Sequence, residues 1–388
     1  MTYRTTFKYI SILSIFLFAI GMGCKEKKEA KIETTEMKIE KPMGLEILIG
    51  TYTKEESQGI YKAYFDESTG TLSKPQLLVE TENPTFLYQS QNKERVFAVN
   101  EVKEGKAISF SWNEDRTRLN PISEQLTGGS GPCHITLNNA QNFVAIANYG
   151  SGTFTLLKTN EDGDFLGEAK VRNHQGSGPV MPAQKSAHAH YSAFDDNDKY
   201  VYVVDLGIDK VLSYTIDNNG KLGNEQTALQ MDPGDGPRHM AFHPTKKNMA
   251  FIINEHSNSV VSVSINHETG TFTRIDKKST IPKNFTEPSF CADMHLSADG
   301  KFLYGSNRGH NSIVVFSVSD EGKLDLIDTV SVEGDWPRNF TLSPNGQYML
   351  VANQKSNNIT VFKIDAKTGI PSYTGQQIAL SMPVCLKF

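Results

Sequence analysis

The sequence predicts an all-β protein, a seven-bladed β-propeller, and three observations carry the prediction. A short unit recurs seven times, each with a head residue followed by an apolar stretch: Pro84, Pro132, Ala189, Pro237, Cys291, Pro337 and Pro383, spaced 46 to 57 residues apart. Behind the first six heads follow two strand-like runs with β-branched and alternating content. A Gly-bearing turn then leads to a fourth strand in most repeats. A period of this size, filled with strand-forming sequence, is the mark of a propeller, in which one repeat is one blade.

Each element has a local reason. The first runs after the heads are RVFAVNE (95–101), FVAIANY (143–149), YVYVVDL (200–206), MAFIINE (249–255), FLYGSNR (302–308) and YMLVANQ (348–354). The second are ISFSW, TFTLL, VLSYTI, VVSVSI, IVVFSV and ITVFKI. Their β-branched and aromatic content favours strands over helices. The turns TGT (69–71), DGD (162–164), NGK (219–221), TGT (269–271), EGK (321–323) and TGI (368–370) supply glycine where the backbone needs a positive φ.

The two ends of the repeat array are unequal. The last head, MPVCLKF, has no strands behind it, and LEILIGTYT (45–53) has no head before it. The halves complete one blade if the C-terminal strand lies innermost and residues 45–80 supply the other three. That closure removes two open sheet edges, which would otherwise invite aggregation.

The repeats make residues 45–388 one domain, although 388 residues would allow two or three. A formal net charge of −5, with no basic cluster in this body, argues against nucleic acid as a partner. Residues 1–23 read as a targeting segment: Arg4 and Lys8 precede an apolar run from Tyr9 to Met22. The run ends in AIGMGC, which resembles a bacterial lipobox and makes Cys24 the expected lipidation site and mature N-terminus. Residues 24–44 are charged and read as a disordered tether. The expected location is the bacterial cell envelope, with the membrane reached only through the lipid. Cys133, Cys291 and Cys385 lie at or beside inner-strand heads and read as small buried hydrophobes. No metal-type spacing occurs, and no cofactor is expected.

Propeller geometry then places the chemistry. Inner strands start, and second strands end, at one channel mouth. Two rings converge there: Thr85, Cys133, His190, Arg238, Ala292, Arg338 and Val384 just after the heads, with neighbours His188, His134, His239, Asp293 and Asn339; and the pairs Asn100–Glu101, Asn148–Tyr149, Asp205–Leu206, Asn254–Glu255, Asn307–Arg308 and Asn353–Gln354. Asn and Asp at such strand ends commonly form turns. Charges in a narrow mouth are costly unless paired or employed. Three arginines facing few acids suggest a site for an anion or a developing oxyanion.

The residues IGTYTK, GIY, GSGPCHI, ANYGSGT, AHAHYSAF, VVDLGIDKV, GDGPRHMAFHP, INE, GSNRGHNSI and GDWPRNFTLSPNG closely resemble the seven-bladed lactonase family across residues 45–388. That family contains the propeller-type 6-phosphogluconolactonases and the carboxy-muconate cycloisomerases. The resemblance implies a functional quartet of His190, Arg238, Glu255 and Arg308. It implies hydrolysis of a small-molecule lactone or carboxylated sugar, with two alternatives: lactone closure by a cycloisomerase, or a non-catalytic envelope propeller that binds a ligand or partner. On the hydrolase reading Glu255 is the general base on water or a proton shuttle, with its pKa expected to be raised by burial. Arg238 and Arg308 polarise the carbonyl, and His190 positions water or protonates the leaving alkoxide. His188, His239, Arg338, Asn148 and Asp205 are expected to contact substrate. Glu255→Gln is expected to cut turnover with little change in stability. The long loops 172–187 and 276–290 are expected to overhang the mouth as lids.

Overall fold

The computed structural model describes residues 44–388, and the targeting segment, Cys24 and nearly all of the tether lie outside them. These residues form seven antiparallel sheets, six of four strands and one of five, with no helix among them. Blade 2 spans Phe86–Leu126, blade 3 Pro132–Asn173, blade 4 Ala189–Gln230, blade 5 Pro237–Ser279, blade 6 Phe290–Ser331 and blade 7 Pro337–Ala379. Blade 1 combines residues 45–80 with the C-terminal strand Pro383–Lys387. That strand is innermost and pairs antiparallel with Leu45–Thr51, with Ile49 opposite Leu386. The expected closure is therefore the one the chain uses. Val384, Cys385 and Leu386 are at most 2% exposed, so the seam is as dry as the rest of the core.

Hydrophobic layers between neighbouring blades hold the ring together. Tyr202, Val204, Ile252 and Val261 pack blade 4 on blade 5, and Phe251, Ile253, Leu303 and Phe316 pack blade 5 on blade 6. The turn glycines serve the same contact. Gly220 of blade 4 and Gly270 of blade 5 have φ of 75° and 69°. A methyl group on either would collide with Phe143 or Tyr200, at the start of a second strand in the preceding blade. These positions need glycine both for backbone and for space.

One backbone device positions the site. In blades 3, 4, 5 and 7 the pairing of inner and second strand slips immediately after the head. Pro132 pairs with Asn148 and His134 with Ala147, leaving Cys133 unpaired. The same slip leaves out His190, Arg238 and Arg338. The C-terminal strand does likewise at Val384, and blade 6 skips both Ala292 and Asp293. A β-bulge re-aims the extra residue out of the pleat, and such bulges concentrate beside active sites. Repetition of the bulge turns Cys133, His190, Arg238, Arg338 and Val384 toward the channel.

Candidate active site

Arg238, in the bulge of blade 5, is 2% exposed. Its Nε donates to Glu255 Oε2 at 3.0 Å, and its Nη1 donates to Ala292 O at 2.6 Å and His239 Nε2 at 3.1 Å. Arg308, at the end of the second strand of blade 6, donates through Nη2 to the same Glu255 oxygen at 2.7 Å and to Cys291 O at 2.9 Å. One carboxylate oxygen thus bridges two guanidiniums. The His190 ring lies 5.2 Å from that of His239, which is itself bonded to Arg238. The structure therefore brings His190, Arg238, Glu255 and Arg308 into one constellation.

Electrostatics departs from the sequence expectation at Glu255. Burial pushes its carboxyl upward, but Arg308 and Arg238 outweigh burial and hold it at about 2. A side chain 16% exposed, between two cations, has no reason to keep its proton. Glu255 is firmly ionised and a weak base. His190 moves the other way from a charged state: burial, then Arg238, His239, Arg338 and Arg308, hold it well below the usual 6.5. It is a neutral imidazole, and its Nδ1 is buried with no hydrogen-bond partner. Burial, followed by Arg308 and Arg338, also loosens the proton on Arg238, with Glu255 opposing them. A guanidinium withstands such pressure at neutral pH.

The expected substrate contacts divide into two groups. Arg338 lines the channel with His190 and Arg238, its guanidinium 5.4 Å from the centre of the Tyr52 ring. His188 donates from Nδ1 to Tyr149 O at 2.7 Å and stacks on the Tyr149 ring at 4.5 Å, which leaves Nε2 as an acceptor. His239 is different. Its Nε2 accepts from Arg238 and its Nδ1 donates to Asp293 Oδ1 at 2.9 Å, so both nitrogens are spent on positioning Arg238.

Asn148 and Asp205 do not reach the mouth either. Both are fully buried. The Asn148 amide donates to Thr153 and Thr155 of its own blade. Asp205 accepts from the backbone of His188 and Gly207 and from His174 Nδ1 at 2.6 Å. Asn254, Asn307 and Asn353 likewise bond to Ser259, Ser312 and Thr360 within their blades. The pleat explains the division, because successive side chains point oppositely. The first residue of each pair turns into the blade. The second, Glu255 or Arg308, turns to the site.

Three contributors were left without a role by sequence reasoning. Asp293 accepts from His239, from His295 Nε2 at 3.0 Å and from Asn339 Nδ2, so it ties blades 5, 6 and 7 together. Glu101 accepts from Tyr52 OH at 2.7 Å and lines the channel. Trp336 lies 5.4 Å from the Arg308 guanidinium and carries a left-handed φ of 68°. Asp293 and Glu101 stood in the aligned rings, but nothing in their type marked a task. Trp336 had a signal: it occupies the pre-head position that Gly131 and Gly236 fill with similar φ.

Beyond the bulge ring, the rings of Phe86, His134, Tyr191 and His239 pack on one another at 4.0 to 6.1 Å and form a floor. The loop before blade 4 is pinned. Gln184 is fully buried and donates to Leu206 O at 2.8 Å and Asp209 Oδ1 at 2.7 Å, which anchors that part of the segment to blade 4. Cys133, Cys291 and Cys385 are free and buried.

Residues 46–388 match the family described as Lactonase, 7-bladed beta-propeller. The chain is 35% identical to a 6-phosphogluconolactonase of Bacillus subtilis, over 88% of this chain and 97% of the relative. It superposes on a crystal structure of a protein from Lactobacillus plantarum with a TM-score of 0.83 at 36% identity, covering 89% of this chain and 99% of the other. It is equally similar, at TM-score 0.83 and 30% identity, to a periplasmic gluconolactonase of Pseudomonas aeruginosa, covering 88% and 98%. The chain belongs to the seven-bladed β-propeller lactonase family.

Proposed function

We propose that this chain opens a sugar lactone by hydrolysis, as a lactonase of the 6-phosphogluconolactonase kind. The observation that carries the reading is the bridge of Arg238, Glu255 and Arg308 beside a neutral, unpartnered His190.

In this reading the guanidiniums receive the lactone carbonyl oxygen and stabilise the oxyanion that forms as water adds. Glu255 holds the two cations at a fixed separation and keeps the site from repelling itself. With its pKa near 2, it is poorly suited to take a proton at neutral pH. His190 takes that role. Its Nε2 accepts a proton from water as the water oxygen bonds to the carbonyl carbon. The bond from that carbon to the ring oxygen then breaks, and the ring oxygen takes the proton from Nε2. The new carboxylic acid still carries the second proton of the water; it gives that proton to solvent, and the resulting carboxylate remains against the arginines until release. His188 and Arg338 contact the remainder of the sugar.

Two observations favour an unphosphorylated lactone at the cell envelope. The Pseudomonas relative is named a periplasmic gluconolactonase. The sequence also carries an export-type segment ending at Cys24, the proposed lipid attachment point. The test is NMR of purified protein with gluconolactone and with 6-phosphogluconolactone, each corrected for spontaneous opening. Hydrolysis above background that His190→Asn abolishes supports the reading. Turnover equal in His190→Asn and wild type removes His190 from the mechanism. No turnover of either lactone overturns the hydrolase assignment.

A further inference from the structure

A cavity of about 10 Å³ lies in the channel among Thr85, Glu101, His190, Arg238 and Arg338. That is room for about one water molecule, which needs two to four polar partners to stay. Three residues of its lining carry a buried polar atom with no hydrogen-bond partner: Thr85 Oγ1, Glu101 Oε2 and His190 Nδ1. Buried polar atoms are rarely left unpaired, and each such case calls for an explanation. A water-sized space and three lining residues that each carry an orphaned polar atom point to the same solution.

We infer that a buried water joins His190 Nδ1 to the Glu101 carboxylate, making Glu101 the positioning residue for the proton-accepting histidine. This rests on the reading of His190 as that acceptor. Nδ1–H donates to the water, and the water donates to Glu101 Oε2 and Thr85 Oγ1. Glu101 cannot swing away, because its other oxygen is held by Tyr52 OH at 2.7 Å. With the proton fixed on Nδ1, the lone pair is on Nε2, where the reaction needs it.

The arrangement also answers an electrostatic problem. When His190 takes the proton from the attacking water it becomes an imidazolium among cations. Arg238 and His239 face it from blade 5, Arg308 from blade 6 and Arg338 from blade 7, and the neutral phenol of Tyr149 packs on it from blade 3. Glu255 is shared by two of those arginines. Asp293, from blade 6, is taken up by His239, His295 and Asn339, so Glu101, from blade 2, is the carboxylate that lines the cavity, and the water carries its influence to Nδ1. The step balances: one water proton passes to Nε2 and on to the ring oxygen, the other leaves the new carboxyl group for solvent, and the Nδ1 proton stays in place.

The test is nitrogen-15 NMR of the histidine-labelled full chain, with the His190 signal assigned by its loss in His190→Asn. The expected wild-type state is the tautomer protonated at Nδ1, and Glu101→Gln shifts it toward a mixture. Kinetics on gluconolactone run alongside. Glu101→Gln lowers kcat about tenfold, a part of the 10²–10⁴ a general base supplies, with KM little changed. It also moves the acid limb of the kcat profile to lower pH, because the imidazolium loses an anion. Glu101→Asp restores both the tautomer and the limb. Thr85→Val lowers kcat a few-fold and leaves the limb in place, which keeps the inference testable if Glu101→Gln folds poorly. An unchanged tautomer and an unmoved limb in Glu101→Gln overturn the relay even if kcat falls, since structural damage alone moves neither. A tautomer that responds to Glu101, together with wild-type lactone turnover in His190→Asn, supports the water link and instead overturns the catalytic role of His190.

Discussion

Replacing Glu255 by Gln removes the one negative charge between Arg238 Nε and Arg308 Nη2 while keeping side-chain shape. A carboxyl taken from 4.5 to about 2 on folding is stabilised in its ionised form by about 3 kcal/mol, at about 1.4 kcal/mol per tenfold in proton affinity. Its exposure of 16% leaves little solvent screening to reduce that figure. Stranding one partner of a buried ion pair costs a similar amount, about 3–5 kcal/mol. The sign follows from linkage. The folded pKa lies below the unfolded value, so the stabilisation is complete above pH 4.5 and is lost as pH falls through about 2. Glu255→Gln should therefore unfold about 3 kcal/mol more easily than wild type at neutral pH, contrary to the small effect expected from sequence. The gap should be level above about pH 5 and narrow only as pH is lowered from there toward about 3, because wild type then converges on the neutral state that Gln imitates. Denaturant unfolding of both proteins across that range measures it. A stability difference that is absent at neutral pH, or that does not change with pH, would refute the two-arginine clamp.

Arg238→Lys should lose about 10²–10³ in kcat, because an ammonium cannot serve Glu255, His239 and Ala292 O together; steady-state kinetics on gluconolactone checks it. Wild-type kcat should be level through neutral pH and fall only on the acid side of 6.5, since neutral His190 is the active form and its pKa is depressed; a limb above 6.5 would contradict that assignment. Deleting residues 383–388 strips the inner strand from blade 1, leaves Leu45–Thr51 as an open edge and forfeits the burial of Val384 and Leu386, each worth about 1.5–3 kcal/mol. The truncated chain should fail to give a cooperative unfolding transition. Cys24→Ala should release the protein from the membrane fraction or block processing, and mass spectrometry of the mature N-terminus decides between lipidation and simple cleavage.

The repeat array determined the architecture. Seven heads, the strand runs behind them and an unmatched strand at each end are local facts of sequence, and closing a ring is the way to satisfy both loose edges. The quartet was legible for the same reason. Every blade except blade 2 carries a bulge behind its head, so aligning the repeats aligns the directions of most residues at that position. What alignment could not supply was the environment of each group, which depends on distances between blades far apart in sequence. Burial alone argued for a raised pKa at Glu255. Two guanidiniums from blades 5 and 6, at 3.0 and 2.7 Å, reverse it. His239 looked like a ligand contact until Asp293, 54 residues on, took its second nitrogen. Asn148 and Asp205 stood in the right ring, but the pleat turns them into their own blades, where threonines and backbone amides meet them. Glu101, finally, is one polar residue among many at strand ends in the sequence. Only closure of the ring sets its free oxygen beside a water-sized cavity shared with His190, because side chains from blades 2 and 4 meet nowhere but in the channel.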